Sequence, residues 1–498
     1  MLKILTTKQS KEHDAYTIEH EPIASIDLME RACQAFVTWF TAEFEASRKI
    51  GIVCGTGNNG GDGLGIARML NEMNYPIKVW IVKGTAPITD DFKINFDRVK
   101  GKLEMYEIVT SSDQGLFSDC DILIDAIFGS GLSRPTEGIY EQAINCINQT
   151  KCVKIAIDLP SGLLADGPSS GKIIEADYTI SFQLPKLAFL LPQNYRYVGN
   201  WKVVDIGLSK IYLKEAKTSY FYLTKNSVKD KIHNRAKFDH KGKNGHALLI
   251  AGSFGKIGAS ILASKACLRS GVGLLTTHVP KSGYTIIQTS VPEAMASVDE
   301  HQDFFSGELK INQFSSVGIG PGLGQSAETI SAFLKIVEQG RPLVVDADGL
   351  NILAARPDWL GLITQGSILT PHPKEFERLV GTWQNDFERL EKQKKFSTET
   401  NAVIILKGAH SSIATPDGKI YFNSTGNSGM ATGGSGDVLT GILTGLLAQG
   451  YSAKDASIVG VYLHGLSGDI AAREKGSHSL IASDIVNFLP AAFKNVLN

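Results

Sequence analysis

The chain has 498 residues, a length that predicts two to four domains at roughly 100–200 residues each. Hydrophobic residues make up 43% and charged residues 20%, which excludes a disordered or fibrous chain and predicts large buried cores. Fifty Lys+Arg against 51 Asp+Glu leave a formal charge of −1, so no global pull toward nucleic acid or an anionic membrane is expected.

The opening MLKILTTKQSKEHDAY alternates charged and apolar residues too quickly for a signal-peptide core. No uncharged apolar stretch reaches the length of a spanning helix. Residues 1–48 lack glycine and carry a helical apolar pattern, predicting helices that lead into the first strand. The six cysteines (Cys33, Cys54, Cys120, Cys146, Cys152 and Cys267) include no C-x-x-C pair. Reduced thiols and a cytoplasmic location are therefore expected.

Strands of the continuous, β-branched kind found in buried parallel sheets are predicted at 49–55, 77–84, 121–129, 153–162, 178–182 and 201–207. After the first of them, Gly55-Thr56-Gly57-Asn58-Asn59-Gly60 satisfies G-x-G-x-x-G before a helical pattern. Such a loop brings backbone N–H groups to a phosphate at a helix N-terminus. The following strand ends on Lys83, where a dehydrogenase would carry an acidic group for the ribose hydroxyls. Asp125 and Asp158 end two later strands, at the sheet edge where open α/β folds bind ligands. With Asn59 and Ser161 they form a set of hard oxygen donors suited to an alkali cation or a water cluster.

The segments CGTGNNGGDGLGIAR, DAIFGSGLSRP and AIDLPSGLLADG closely resemble the YjeF N-terminal family, the NAD(P)H-hydrate epimerases, over roughly residues 1–215. The resemblance implies a Rossmann-like αβα sandwich that binds hydrated NADH or NADPH (NADHX, NADPHX). It implies that Asn58, Asn59, Gly60, Gly61 and Asp62 form one substrate loop. Gly129, Ser130, Gly131, Leu132, Ser133, Arg134 and Pro135 would form a second. Asn59, Asp125 and Ser161 become the ligands of K+, and Asp158 the polar group at the reacting ring. Because C6 of the hydrated ring is a hemiaminal carbon, Asp158 is expected to carry the proton that interconverts the R and S forms.

A polar stretch, 208–220, is expected to link the domains, giving boundaries of 1–215 and 216–498. The strand–helix alternation then restarts, with strands predicted at 247–252, 272–279, 316–320, 342–349, 367–373, 402–408 and 419–423. Near the end, GNSGMATGGSGDVLTGIL places Gly433, Gly434 and Gly436 before Asp437 and an apolar helix. Glycines opening a helix leave free N–H groups for an anion. A carboxylate there suits a proton acceptor for a hydroxyl attacking a phosphate. No Walker A motif occurs. Asp346 and Asp348 in VVDADGLN read equally well as outer ligands of Mg2+ or as an Asx turn.

This G-x-G-D ending resembles the ribokinase-like superfamily. Within it, HKGKNGHALLIAGSFGKIGAS, GIGPGLG, DADGLN, TPHPKEF and LKGAHS are similar to the ADP-dependent NAD(P)H-hydrate dehydratases. The resemblance implies that Ala259, Gly322, His372 and Asp437 contact the hydrated dinucleotide. Lys407, Gly408, Ala409, His410 and Ser411, with Gly436, would contact the adenine nucleotide, with ADP as co-substrate and Mg2+ as cofactor. It also implies a homo-oligomer. Ser428 and Ser435 depart from the family pattern. The competing expectations are a ribokinase-like small-molecule kinase and, for the first half, a nucleotide-binding module without turnover.

Overall fold

A computed structural model describes residues 1–84, 87–109 and 115–498. It divides into two compact units, one essentially residues 2–218 and the other essentially 219–498, with the short segment 385–387 grouped with the first. Among the described residues no helix is long and apolar enough to cross a membrane.

The first unit opens with helices α1 (Thr7–His20) and α2 (Ser25–Glu43). Thr6 and Gln9 form a reciprocal capping box that starts α1. The unit contains seven parallel strands: β1 (Ile50–Cys54), β2 (Ile77–Val82), β3 (Glu104–Ile108), β4 (Ile122–Ala126), β5 (Val153–Ile157), β6 (Tyr178–Phe182) and β7 (Asn200–Val204). Their order is β3-β2-β1-β4-β5-β6-β7, so the winding reverses between β1 and β4. Every residue of β1 and β4 is buried, which explains their unbroken apolar sequences. The reversal opens a crevice at the carboxyl ends of these two strands, where neighbouring loops diverge. Helix α3 (Asn58–Glu72) starts there.

In the second unit the strands are β8 (Tyr220–Tyr222), β9 (His246–Ile250), β10 (Leu274–Val279), β11 (Met295–Val298), β12 (Ser316–Ile319), β13 (Leu343–Val345), β14 (Ile368–Leu369), β15 (Val403–Leu406), β16 (Ser412–Ala414) and β17 (Ile420–Phe422). They run β8-β17-β16-β15-β14-β13-β12-β9-β10-β11, parallel except where β16 meets β15 and β17. Here the winding reverses between β9 and β12. Helices α4 (Ile257–Arg269), α5 (Pro373–Val380), α6 (Ser435–Ala448) and α7 (Ala453–Lys475) supply the remaining parts of the site. Helix α6 is buried along nearly its whole length against α4 and the sheet. At Gly441 an added Cβ would fall 2.1 Å from the Ala263 carbonyl oxygen of α4, so glycine is what permits this close approach.

Four short strands escaped the sequence reading. In β3 charged and exposed residues interrupt the apolar pattern, and β8, β11 and β16 have only three or four residues each. The expected linker also folds. Residues Lys210–Glu215 form a helix, and Tyr212 donates to the Gln9 carbonyl at 3.1 Å while stacking on His13 at 4.9 Å between centroids. Packing on α1 thus gives the polar stretch an amphipathic use.

Gly441→Ala is expected to destabilise the second unit by about 1–3 kcal/mol through overpacking. Gly361→Ala, which meets nothing within 4 Å, should leave its denaturation midpoint unchanged in the same chemical-denaturation experiment.

Candidate active sites

In the first unit, chain geometry at the crevice begins with two glycines. A Cβ at Gly60 would fall 1.9 Å from the Gly55 carbonyl oxygen, so the loop closes on itself with its N–H groups at the start of α3. Asn58 is exposed on that first turn, whereas Asn59 is buried, its side-chain oxygen directed toward Gly129. The amide nitrogen of Asn59 is buried without a hydrogen-bond partner. Gly61 is packed beneath, its carbonyl accepting from Asn95 at 2.9 Å.

Asp125 lies inside β4, one residue before its end, and is fully enclosed. Its Oδ1 stands 2.6 Å from Ser161 Oγ, and its Oδ2 accepts from Ser161 N–H at 2.7 Å. Ser161 Oγ in turn accepts from Phe128 N–H at 2.8 Å and lies 3.1 Å from the Phe128 carbonyl oxygen. Asn59 and the Asp125–Ser161 pair therefore meet at residues 128–129. Burial pushes the Asp125 carboxyl up to about 6, although hydrogen bonds from Ser161 and Ile127 oppose it.

Just past β5, Asp158 adopts φ +62°, an uncommon conformation for a side chain other than glycine. Its Oδ1 is 3.1 Å from Lys186 Nζ, and both side chains are nearly inaccessible. Its oxygens also accept from Ser130 N–H at 3.3 Å and Phe182 N–H at 3.4 Å. Burial alone would raise its pKa, but the Lys186 ammonium and these donors hold it below the usual carboxylate range. Asp158 is thus an anion at neutral pH. A cavity of about 180 Å³ is lined by Asp14, Asn58, Asp62, Ser130, Asp158 and Lys186, among others. Asp62 there is pushed well above the usual range, by burial first and then by the charges of Asp158, Asp14 and Asp91. Of the 129–135 loop, Gly129 and Ser130 reach this site. Leu132 is half-buried, and Gly131, Ser133, Arg134 and Pro135 are exposed. Lys83 pairs with Glu107 at 2.5 Å.

In the second unit, the β9 and β12 loops lock together at the reversal of winding. Gly252 N–H donates to the Pro321 carbonyl at 2.8 Å, and Ser253 Oγ to the Gly322 carbonyl at 2.8 Å. Gly322 has φ +60°, and a Cβ there would stand 3.1 Å from that of Ala259, so these two expected contacts are adjacent.

Asp346, immediately after β13, and Lys407, immediately after β15, form a 2.8 Å ion pair beneath the last glycine loop. Thr440 Oγ1 donates to the other Asp346 oxygen at 2.8 Å, and Glu375 lies 3.9 Å from the same ammonium. A Cβ at Gly436 would stand 3.4 Å from Lys407 Nζ. Gly434, at φ +89°, caps the start of α6; Ser435 N–H turns back to the Thr432 carbonyl at 3.4 Å, and the Gly436 and Asp437 N–H groups head the helix. Asp437 sits on that first turn. Burial pushes its carboxyl up to about 6, the Asp346 charge adds to this, and Lys407 opposes it. A base whose pKa lies near the working pH is well matched to proton transfer.

His372 caps α5, its Nδ1 accepting from Lys374 N–H at 3.1 Å, while Nε2 is 3.4 Å from Glu375. Burial lowers its pKa, so it is neutral at pH 7. Gly408 and Ala409 are exposed in a turn that Ser411 closes by accepting from Gly408 N–H at 3.2 Å, and His410 lies against the Asn423 carbonyl at 3.1 Å. Asp348 is used differently: it accepts from Gly324 N–H at 2.8 Å and Gln325 at 3.1 Å, pinning the β12 loop.

Sequence reasoning missed Lys186, Asp14, Glu375, Thr440 and His464. Lys186 had a signal, as the lone charge in QLPKLAFLLP. His464, on α7, donates from Nε2 to the Ser435 carbonyl at 2.9 Å and so ties down the first residue of α6, two before Asp437. Its burial lowers the pKa to about 4, keeping the ring neutral and the donor in place.

Comparison with known proteins covers both halves. Residues 25–188 match the family described as YjeF-related protein N-terminus, and residues 247–491 match the one described as NAD(P)H-hydrate dehydratase. The bifunctional NAD(P)H-hydrate repair enzyme Nnr of Moorella thermoacetica is 36% identical, over 99% of this chain and 97% of its own length. That of Escherichia coli is 30% identical, over 93% and 88%. Among solved structures, the ADP/ATP-dependent NAD(P)H-hydrate dehydratase of Bacillus subtilis, co-crystallised with ATP and Mg2+, is 32% identical with a TM-score of 0.50. It covers 55% of this chain and 98% of its own. A ribokinase-like superfamily protein from Enterococcus faecalis gives a TM-score of 0.51 at 27% identity, covering 56% and 98%.

The raised pKa of Asp437 also predicts a stability effect. The fold prefers the protonated form, so this group's contribution is fully present below pH 3.8 and is lost as pH rises through about 6. Asp437→Asn should therefore stabilise the second unit by about 2 kcal/mol at pH 8 and by almost nothing at pH 3.5. Chemical denaturation at the two pH values measures the difference.

Proposed function

Because the chain belongs to the family of bifunctional NAD(P)H-hydrate repair enzymes, we propose a division of labour between its two sites. The protein repairs hydrated nicotinamide dinucleotides: its first unit epimerises R- and S-NAD(P)HX, and its second dehydrates the hydrate to NAD(P)H. The boundary between the two activities lies near residue 216. The observation that carries this reading is the contrast between two buried carboxyls. Asp158 is held anionic in a small buried cavity, whereas burial raises Asp437 to about 6 at the glycine-opened start of α6.

In the first unit, the Asp158 carboxylate takes or returns the proton of the C6 hydroxyl group and faces the positive charge that develops on N1 as the C6–O bond breaks. Gly60, Gly61 and the N-terminus of α3 hold the pyrophosphate, with Asn58 and Asp62 beside the ring end. Asn59, Asp125 and Ser161 fit K+. Among the described residues the buried Asp125 carboxyl has no cationic partner, and the orphan end of the Asn59 amide presents either nitrogen or oxygen, since hydrogen bonding alone sets its orientation. Bound there, K+ would neutralise Asp125 and fix the loop that carries Ser130.

In the second unit, ADP is the co-substrate. Asp437 removes the proton of the C6 hydroxyl as its oxygen bonds to the terminal phosphorus, and the bond from that phosphorus to AMP breaks. The C6–O bond then breaks with phosphate leaving, and loss of a C5 proton restores the reduced nicotinamide. The α6 N-terminus, Gly436 and Lys407 stabilise the transferring phosphoryl group. Ala259, Gly322 and His372 hold the dinucleotide, and residues 408–411 the adenine nucleotide. Asp346 and Asp348 are already engaged, so the residues fit Mg2+ as a companion of the nucleotide phosphates. Mg2+ would supply charge neutralisation at those phosphates.

A mixture of R- and S-NADHX, with ADP, Mg2+ and K+, tests both halves through the near-ultraviolet absorbance of reduced nicotinamide. Full recovery with stoichiometric AMP is expected. Asp437→Asn should abolish recovery, lowering kcat by at least about 100-fold. Asp158→Asn should stop it at the S fraction, and replacing K+ by Li+ should slow recovery of the R fraction alone. A stable phosphorylated product without NADH would overturn the reading in favour of a kinase.

A further inference from the structure

Asp14 faces the same cavity from a different element. It lies on α1, ahead of every strand of the sheet and outside each of the glycine and strand-end motifs. The helix is held firmly in place. Thr7 N–H donates to Asp166 at 2.6 Å, His13 Nε2 is 2.9 Å from the Ser209 carbonyl, and Thr17 Oγ1 accepts from Ser209 N–H at 3.0 Å. Among the described residues the Asp14 carboxyl makes no hydrogen bond or ion pair, although its neighbours His13 and Thr17 on α1 are engaged in structure. Asp158, by contrast, is fixed by Lys186, Ser130 and Phe182. A carboxyl left unpartnered on the wall of a cavity, on a well-anchored helix, serves no packing purpose and costs stability.

We propose that Asp14 is the second proton-transfer residue of the epimerisation, working opposite Asp158. The inference rests on the reading of the first unit as an epimerase. Asp14 as the acid gives its proton to the C6 hydroxyl oxygen. The C6–O bond breaks, water leaves, and the N1 lone pair forms the N1=C6 iminium. A water then attacks the other face of C6, its electron pair closing the new C–O bond as the N1=C6 pair returns to N1, and its proton passes to Asp158. Asp14 is left as carboxylate and Asp158 as acid, so the next turnover runs with the roles exchanged, or proton exchange with solvent resets the pair.

The charged and titratable groups around Asp14 favour this exchange. Asp62, Asp91, Asp158 and Lys186 line the cavity with it, and His13 adjoins it on α1. Burial pushes Asp14 up to about 6, Lys186 opposes, and Asp158 adds to the rise. Asp62 is pushed well above the usual carboxylate range, by burial first and then by the charges of Asp158, Asp14 and Asp91. Asp14 alone among these carboxyls combines freedom from partners with titration near the working pH.

The test uses the full chain with R-NADHX, ADP, Mg2+ and K+, while S-NADHX supplied separately reports the dehydratase in the same preparation. Asp14→Asn is expected to lower kcat for the R form by at least about 100-fold, with KM little changed and S-NADHX turnover intact. The alkaline limb of the wild-type pH profile should vanish from its residual activity. Epimerisation by Asp14→Asn at the wild-type rate and pH profile would sink the inference while leaving the epimerase reading in place. Failure of the wild-type chain to recover the R form would overturn both. Should Asp14→Asn lose the first unit's melting transition, Asp14→Glu decides: a shifted alkaline limb supports the assignment, and an unmoved one overturns it.

Discussion

Each site is organised around one buried Asp–Lys pair at the carboxyl end of a parallel strand. Asp158 with Lys186 and Asp346 with Lys407 stand 3.1 and 2.8 Å apart, each aspartate just beyond its strand. Taking either charge from water unpaired would cost several kcal/mol, so the partners stand or fall together. The pair also sets the electrostatics of its surroundings. It holds one carboxylate ionised, and that charge raises the proton affinity of other carboxyls nearby. Burial is the larger cause at Asp14, Asp62 and Asp437; the Asp158 charge adds to it at the first two, though at Asp14 Lys186 opposes more strongly, and the Asp346 charge adds to it at Asp437. Carboxyls pushed apart in this way can divide acid and base roles between them.

The sheets determine where such pairs can form. In both units the strand order reverses once between loops that carry glycines, the place where open α/β sheets bind their ligands. Close backbone contacts then remove slack. Gly60 seats the start of α3 against Gly55, and Gly441 seats α6 against α4. The anion-facing N–H groups are thus placed by packing of the scaffold rather than by the loops alone, the arrangement that favours preorganised stabilisation of developing charge. His464 extends the same logic, anchoring the first residue of α6 from a neighbouring helix.

Much of this was legible in the amino-acid sequence where one local rule dominated. The long apolar strands, the glycine-opened helices and the aspartates at strand ends all follow from short-range chemistry. Elements that depend on distant partners were not legible. The β3 segment reads as polar because one of its faces is exposed, and Lys210–Glu215 becomes a helix because α1 supplies a surface for Tyr212. Lys186 and Asp14 lie outside every motif, and Glu375 sits unremarked inside TPHPKEF, since their importance comes from which carboxylate or ammonium the fold sets beside them. In the 129–135 segment the sequence shows the loop, but not that the carboxylate of Asp158 captures Ser130, a contact the fold alone brings about.

The cavity's size has a consequence for fidelity. At about 180 Å³ it is smaller than the roughly 300–1,000 Å³ of pockets that enclose whole drug-sized ligands, so on the proposed reading it would take one ring and leave the adenosine end outside. An intact reduced nicotinamide ring differs from the hydrated one only by the elements of water, and volume discriminates poorly at that scale. Polarity does so far better. A chamber walled by several carboxyls offers a hydroxyl group its partners, and a ring lacking that hydroxyl would leave them desolvated and unanswered, a mismatch worth about 10⁴–10⁵ in selectivity at sites of this kind. The same unpaired acids that weaken the fold would let the enzyme recognise the lesion and ignore the carrier.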